Sequence, residues 1–280
     1  MKSRIYATFI SAMTIIALLS FPITSSASHS WGNYHWARTA NPFNLRVVDS
    51  NTTDWDDNLN RALSDWSTST VLNLIYEGGD SSSRARKRCV MITGKVHSCN
   101  AAYGFNGWLG LASINITGGV HITQGSAKMN DSYFAGGGYN ETNRQHVMCQ
   151  EIGHTFGLDH QSETGADLNT CMDYANALDN PSPNAHDYQQ LQTIYSHLDS
   201  TTTVGFTVFN LNGNGIGNGN DFEDDPDAPH NWGRLVSQSA NGRSSYYEND
   251  RGNGNKKLTH VFWTQEAAER CRACDHRYDH

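Results

Sequence analysis

The segment QEIGHTFGLDH, in the middle of the chain, holds the side chains best suited to chemistry. Gln150 and His154 are one helical turn apart, so their side chains project from the same face of a helix. Gly157 can adopt backbone angles that other residues avoid, which lets the chain turn back and bring His160 towards His154. Glu151 lies at the edge of the same face. Three converging donors, an open position for water and a nearby carboxylate predict a hydrolytic metal centre.

Several elements must position these side chains. A helix is predicted at residues 142–156, and it would carry both Gln150 and His154. Apolar spacing predicts further helices at residues 54–66, with Asp54 as the cap, and at residues 187–198. Strands are predicted at residues 44–48, 71–76, 89–97, 108–117, 233–237 and 258–263, with a short edge strand at residues 120–123.

The first residues resemble an export signal. Lys2 and Arg4 precede a mostly apolar stretch at residues 5–19, and Ser25-Ser26-Ala27 is a small-residue cleavage site. We therefore predict a cleaved signal peptide at residues 1–27; the alternative is an uncleaved membrane anchor. The mature chain is expected to be secreted, either outside the cell or into the periplasm.

The overall composition excludes several classes of protein. With 280 residues, of which 37% are hydrophobic, the chain can bury one substantial core and is too apolar to be disordered. Only the N-terminus has a long apolar run, so no membrane contact is expected after signal cleavage. A net charge of −8 argues against a nucleic-acid partner. The sequence does not indicate an oligomeric state.

Six cysteines suit an oxidising compartment. The predicted disulfides are Cys89–Cys99 and Cys149–Cys171, although the sequence alone leaves the connectivity open. Cys271 and Cys274 near the C-terminus are expected to form a local disulfide or to lie in a frayed tail. A zinc finger with His276 is disfavoured because the spacing is too short.

Composition changes after residue 199. An Asn/Gly run at residues 210–220 and an acidic run at residues 221–227 predict a linker, with a calcium loop as the weaker alternative. We divide the mature chain into a catalytic domain, 28–199, and a linker with a short β-rich extension, 200–280. The basic run at residues 84–88 is predicted to be a solvated loop, with a processing site as the alternative.

The central segment resembles the extended zinc motif of the metzincin metallopeptidases, H-E-x-x-H-x-x-G-x-x-H. Glu151, His154, Gly157 and His160 match it, and Gln150 stands at the first His, as in some gametolysin-like proteases. Residues 171–174, CMDY, resemble the metzincin Met-turn, and the helix from residue 187 resembles the closing helix of matrix metalloproteases. The resemblance covers residues 43–199.

This resemblance implies a fold and a set of roles. The expected fold is α+β, with a twisted mixed sheet, an active-site helix, a C-terminal helix and a small C-terminal extension. The implied ligands of Zn²⁺ are Gln150, His154 and His160. Glu151 would be the general base, Tyr174 would assist at the oxyanion, and Met172 would lie beneath the metal, although Met172 and Tyr174 could equally be core residues.

The remaining implications concern the substrate and access to the site. A peptide or protein substrate would bind in extended form along the edge strand at residues 120–123. The Cys149–Cys171 disulfide would tie the active-site helix to the Met-turn and make the site rigid. Between Ala27 and the first predicted strand there is no cysteine, so we expect no cysteine-switch prosegment and an exposed site.

Gln150 is the one departure from the motif. An amide oxygen is a weaker zinc donor than imidazole and suits harder cations. Gln150 would therefore hold zinc less tightly, or the site would be empty or take another metal. His146 cannot replace the missing ligand, because it lies two helical turns before His154, roughly 12 Å away at about 1.5 Å per residue. Spacing alone leaves His121 as a candidate.

Two functions of different classes follow. The first is a secreted zinc-dependent endopeptidase that hydrolyses peptide bonds through activated water. The second is a weakly active or inactive pseudo-peptidase that binds an extracellular metal or peptide.

Overall fold

A computed structural model describes residues 29–162, 164–205 and 228–278 of the chain. Strands in these residues form one nine-stranded sheet in the order β3-β2-β4-β6-β5-β9-β8-β7, with β1 paired to β6. The strands are His35–Trp36 (β1), Phe43–Ser50 (β2), Leu72–Gly78 (β3), Val96–Ala101 (β4), Trp108–Thr117 (β5), His121–Asn130 (β6), Arg234–Gln238 (β7), Ser244–Gly252 (β8) and Asn255–Trp263 (β9). The helices are Asp56–Trp66 (α1), Ser83–Arg88 (α2), Asp131–Phe134 (α3), Glu141–His154 (α4), Ala185–Ile194 (α5) and Gln265–Arg270 (α6).

Parallel and antiparallel pairs divide the sheet into two parts. Strand β2 pairs in parallel with β3 and β4, and β4 pairs in parallel with β6. Strands β5, β9, β8 and β7 then follow as successive antiparallel pairs. The mixed sheet and the helices confirm the predicted α+β fold.

Helix α4 carries the predicted metal site and is packed into the core. The Asn140 side chain accepts a hydrogen bond from the Asn143 backbone N–H and so caps the helix start. All residues from Gln145 to His154 are buried. Trp66 of α1 donates its indole N–H to the carbonyl oxygen of Cys149 at 3.0 Å, which fixes the two helices together.

Several predicted elements need correction. The Asp54 cap is wrong, because a 3-10 turn at Thr53–Trp55 precedes α1 and no side chain caps it. The predicted strand at 89–97 begins only at Val96, since Cys89 has a positive φ of 44° and ends helix α2. The basic run at 84–88 is not a loop but lies in α2, whose N-cap Ser82 accepts from the Ala85 N–H.

The predicted strand at 120–123 is present in part, but its place at an edge is wrong. Residues 121–123 begin the ten-residue strand β6, which lies between β4 and β5. Strand β5 would be the edge next to α4, but β9 pairs along it from Trp108 to Ile116. No free edge therefore adjoins the predicted site in the described part of the chain.

Strands β7, β8 and β9 of the C-terminal extension continue the main sheet. Strands β8 and β9, which we call the C-terminal hairpin, are joined by a turn with positive φ at Asn253 and Gly254. An Asn-Gly pair suits this turn because both residues tolerate positive φ. The separation into domains at residue 199 stays a prediction. Strand β9 of the hairpin pairs directly with β5 of the preceding segment.

Disulfides Cys89–Cys99 and Cys149–Cys171 are confirmed, and Cys271–Cys274 is a local disulfide rather than a frayed tail. The predicted signal peptide and the runs at 210–220 and 221–227 lie outside the described residues. Within those residues, no helix has the length and apolar character needed to cross a bilayer.

Candidate metal centre

The end of α4 turns sharply at Gly157. This glycine has a φ of +88°, and an added Cβ would collide with the carbonyl oxygen of Tyr34, so that only glycine fits. The Gly157 N–H bonds to the carbonyl of His154 at 3.1 Å as the helix ends. The chain then returns, and the ring centroids of His154 and His160 lie 4.6 Å apart. The predicted convergence of these two histidines is present.

A third imidazole joins them. His260 of β9 lies with its ring centroid 4.0 Å from that of His154 and 5.0 Å from that of His160. One ligand atom from each of the three side chains lies within 4.8 Å of the others. We call this group the histidine cluster. Rings at these separations can direct nitrogen atoms at one ion, given Zn–N bonds of about 2.1 Å.

The donor atoms of the cluster fit a metal ion. The His154 Nδ1–H donates to the carbonyl of Leu158 at 2.9 Å, which leaves Nε2 as a bare acceptor. That nitrogen has no hydrogen-bond partner among the described residues, and the same holds for His160 Nε2, whereas His160 Nδ1 lies 3.5 Å from Asp159 Oδ1. Metal-binding histidines commonly donate their other ring nitrogen to a carbonyl in this way. Burial lowers the pKa of both His154 and His160 well below the usual value, which keeps them neutral, as metal ligands must be.

Gln150 is fixed by its amide group. Its Nε2 donates to the backbone carbonyls of Cys171 at 2.9 Å and Asp173 at 3.3 Å. Its carbonyl oxygen, Oε1, is buried and finds no donor in the part of the chain that is described. A buried acceptor without a donor costs about 1–3 kcal/mol. An amide whose nitrogen is held and whose oxygen is unpaired fits the predicted role of a metal ligand.

Glu151 is fully buried beside the cluster. Its Oε2 lies 3.1 Å from His260 Nδ1, whereas Oε1 has no partner within the described residues. Gly110 of β5 makes room for this carboxylate, because an added Cβ would lie 2.5 Å from Oε1. Burial raises the pKa of Glu151 and the neighbouring His260 opposes that rise. A carboxyl group with a raised pKa suits proton transfer.

The predicted Met-turn lies against α4. Met172 is fully buried, and its Sδ would be 2.8 Å from a Cβ added at Gly153, the residue before His154. Tyr174 stacks on His160 with ring centroids 3.9 Å apart. The Cys149–Cys171 disulfide joins the helix to this turn. The structure therefore places Tyr174 against His160, and Met172 and the disulfide against the helix that carries Gln150 and His154.

The expected exposure of the site is wrong. Gln150, Glu151 and His154 are 0% exposed and His160 is 3% exposed. Trp31 stacks on His154 with ring centroids 4.9 Å apart, and His260 of the C-terminal hairpin lies against the same imidazole with ring centroids 4.0 Å apart. The sequence prediction missed His260. The available signal was a single imidazole within the apolar strand sequence LTHVFW.

The two other histidines considered as ligands lie elsewhere. His146 is buried and its Nδ1 bonds to the carbonyl of Asn180 at 2.9 Å. His121 Nε2 lies 3.2 Å from Asp199 Oδ1, in a separate group that includes His35. Neither histidine belongs to the histidine cluster.

Comparison with known proteins agrees with this geometry. The matrixin family profile, Peptidase_M10, matches residues 35–196, which is more than half of the chain. The match includes α4, the Gly157 bend and the Met-turn, and it ends before the C-terminal hairpin. No curated protein matches the sequence significantly. The chain belongs to the matrixin family of zinc metallopeptidases.

Proposed function

We propose that the chain is a secreted zinc endopeptidase with Gln150, His154 and His160 as metal ligands and Glu151 as general base. The observation that carries this proposal is the set of buried, unpaired donor atoms beside a buried carboxylate. Such atoms are costly to bury unless an ion or a hydrogen bond satisfies them. The disulfides support secretion, because they persist in oxidising compartments.

Zinc, when bound at such a site, makes water acidic and polarises a carbonyl group. Glu151 accepts the proton of the attacking water on a carboxylate oxygen and delivers it to the departing amine. His154 keeps its orientation through the bond from Nδ1 to the Leu158 carbonyl. Tyr174 holds the ring of His160 by stacking, and its hydroxyl group is the proposed second donor to the oxyanion.

The substrate is expected to be a peptide segment in extended form. An extended segment adds to a sheet through main-chain hydrogen bonds, and β5 is the strand that passes Glu151 at Gly110. Because β9 occupies the outer side of β5, this binding requires the C-terminal hairpin to separate from β5.

Metal content and peptide cleavage test the proposal together. The full secreted chain is analysed for zinc, and cleavage of a peptide library is measured with and without a chelator. Measurements are made in buffer and in urea below the unfolding transition, which favours opening of the hairpin. We expect zinc to be bound and cleavage to be chelator-sensitive and lost in Glu151→Gln. Glu266→Gln is the control, because that side chain is 86% exposed.

The buried site gives specific support to a second function, a pseudo-peptidase that binds metal without catalysis. Bound zinc with no cleavage in either condition would favour it over the endopeptidase. A chain that binds no zinc would contradict both functions.

A further inference from the structure

His260 differs from the other members of the histidine cluster in its origin. It lies beyond residues 35–196, which match the matrixin family, and it enters the cluster from the C-terminal hairpin. Its position is set by sheet pairing, opposite Ala112 of β5 on one side and Tyr246 of β8 on the other. An imidazole fixed on a paired strand is held more rigidly than one on a loop.

We propose that His260 is a ligand of the same metal ion as His154 and His160. The inference rests on the proposed function in taking the ion to be zinc and in taking Gln150, His154 and His160 as its other ligands. Zinc prefers imidazole to an amide oxygen. The cluster offers three imidazoles although the matrixin segment itself supplies two, so His260 provides the nitrogen that Gln150 does not.

The present contacts of His260 are compatible with this role. Its Nδ1 faces Glu151 Oε2 at 3.1 Å, and its Nε2 lies 2.7 Å from the hydroxyl of Ser244. One of the two contacts gives way when the nitrogen binds the ion, and the other then orients the ring. Hydrogen-bonded partners of this kind orient the imidazole ligands of metals.

This ligand set also accounts for the covered site. With the Gln150 carbonyl oxygen, the three imidazoles make four protein donors, and zinc sites with four protein donors leave no position for water. Strand β9 carries His260 and also pairs with the outer side of β5. One element therefore closes both the metal centre and the peptide-binding edge. Hydrolysis requires His260 to dissociate from the metal so that water can bind there.

Zinc affinity and a spectroscopic probe test the proposal in the full-length chain. Zinc dissociation constants are measured by chelator competition for wild type, His260→Phe and His260→Gln. The absorption of the cobalt-substituted proteins and deuterium exchange of the hairpin amides are recorded for the same variants. His276→Phe is the matched control, because it replaces a buried C-terminal histidine outside the cluster, and Glu151→Gln tests whether His260 acts only through the carboxylate beside it.

We expect His260→Phe to weaken zinc binding at least about 100-fold, since even changes to the partners of ligands cost about 10–100-fold. His260→Gln, which retains a weaker donor, should lie between Phe and wild type. Cobalt absorption should change in both variants, and zinc should slow hairpin exchange in wild type but not in His260→Phe. His276→Phe should bind zinc within about threefold of wild type, whereas Glu151→Gln, which changes a partner of His260, should weaken zinc binding about tenfold and therefore less than His260→Phe.

Three results would overturn the proposal. In the first, His260→Phe retains wild-type affinity and cobalt absorption, in which case the endopeptidase proposal still stands. In the second, Glu151→Gln weakens zinc binding as much as His260→Phe does, and His260 then only positions Glu151. In the third, the wild-type chain binds no zinc, which removes the proposed function as well. Thermal unfolding of the metal-free variants shows whether a loss of affinity is a loss of fold.

Discussion

Removal of the Cys149–Cys171 disulfide should weaken zinc binding more than removal of a second disulfide that contributes similarly to stability. This bridge joins α4 to the Met-turn, and the Cys171 carbonyl accepts the bond that holds Gln150. The matched perturbation is removal of Cys89–Cys99, which joins the end of α2 to β4. Strands β6 and β5 separate β4 from β9 and its His260. Each bridge is replaced by a pair of alanines.

Loop length predicts similar losses of stability for the two variants. The bridges span 22 and 10 residues. In the chain-entropy relation these loops correspond to about 3.4 and about 2.7 kcal/mol of unfolding free energy at room temperature. Urea titrations of both variants, with a chelator present so that zinc does not contribute, should therefore differ by less than about 1 kcal/mol.

Zinc affinity should separate the variants. Without Cys149–Cys171, the turn that holds the Gln150 amide is free to shift, and we expect the dissociation constant for zinc to rise about 10–100-fold, as for other partners of metal ligands. Without Cys89–Cys99 it should stay within about threefold of wild type. Equal zinc affinities in the two variants would show that the bridge stabilises the fold without organising the site.

Other changes have separate expected outcomes. Gly157→Ala should lower the unfolding free energy by about 1–3 kcal/mol and weaken zinc binding, because the bend positions His160, whereas Gly136→Ala, in open space, should do neither. Tyr174→Phe should keep the stack on His160 and zinc affinity but lower kcat about 100-fold with little change in KM; an unchanged kcat would exclude a role for the hydroxyl. Burial lowers the pKa of His146 from 6.5 to about 4, so folding excludes its proton and the metal-free chain should lose stability as pH falls from 6.5 towards 4; urea titrations of His146→Asn should show a shallower loss.

Local features of the site could be predicted from the sequence. The spacing from Gln150 to His154 fixes a shared helix face, and the glycine bend returns His160 to it, so these contacts depend on few residues. The Cys149–Cys171 bridge followed from the same segment. Each of these relations spans 22 residues or fewer.

Long-range sheet pairing could not be predicted. His260 contacts Glu151 across 109 positions of sequence, and no periodic pattern connects the two. Strand β8 was missed because its sequence, SSYYENDRG, is mostly polar, although the Asn253-Gly254 turn indicates a hairpin. The position of β6 in the middle of the sheet depends on which strands pair with it, and pairing is decided by the tertiary fold.

The contributions of Gln150 and His260 to zinc affinity should therefore be coupled. If His260 supplies the imidazole that the amide at position 150 cannot, then Gln150→His makes His260 less important. A double-mutant cycle on zinc affinity measures this dependence. We expect His260→Phe to cost at least about 100-fold in wild type but about tenfold or less in the Gln150→His background, where the matrixin segment alone holds three imidazoles. Additive costs would mean that the two residues act on zinc independently, and the hairpin histidine would then have no compensating role.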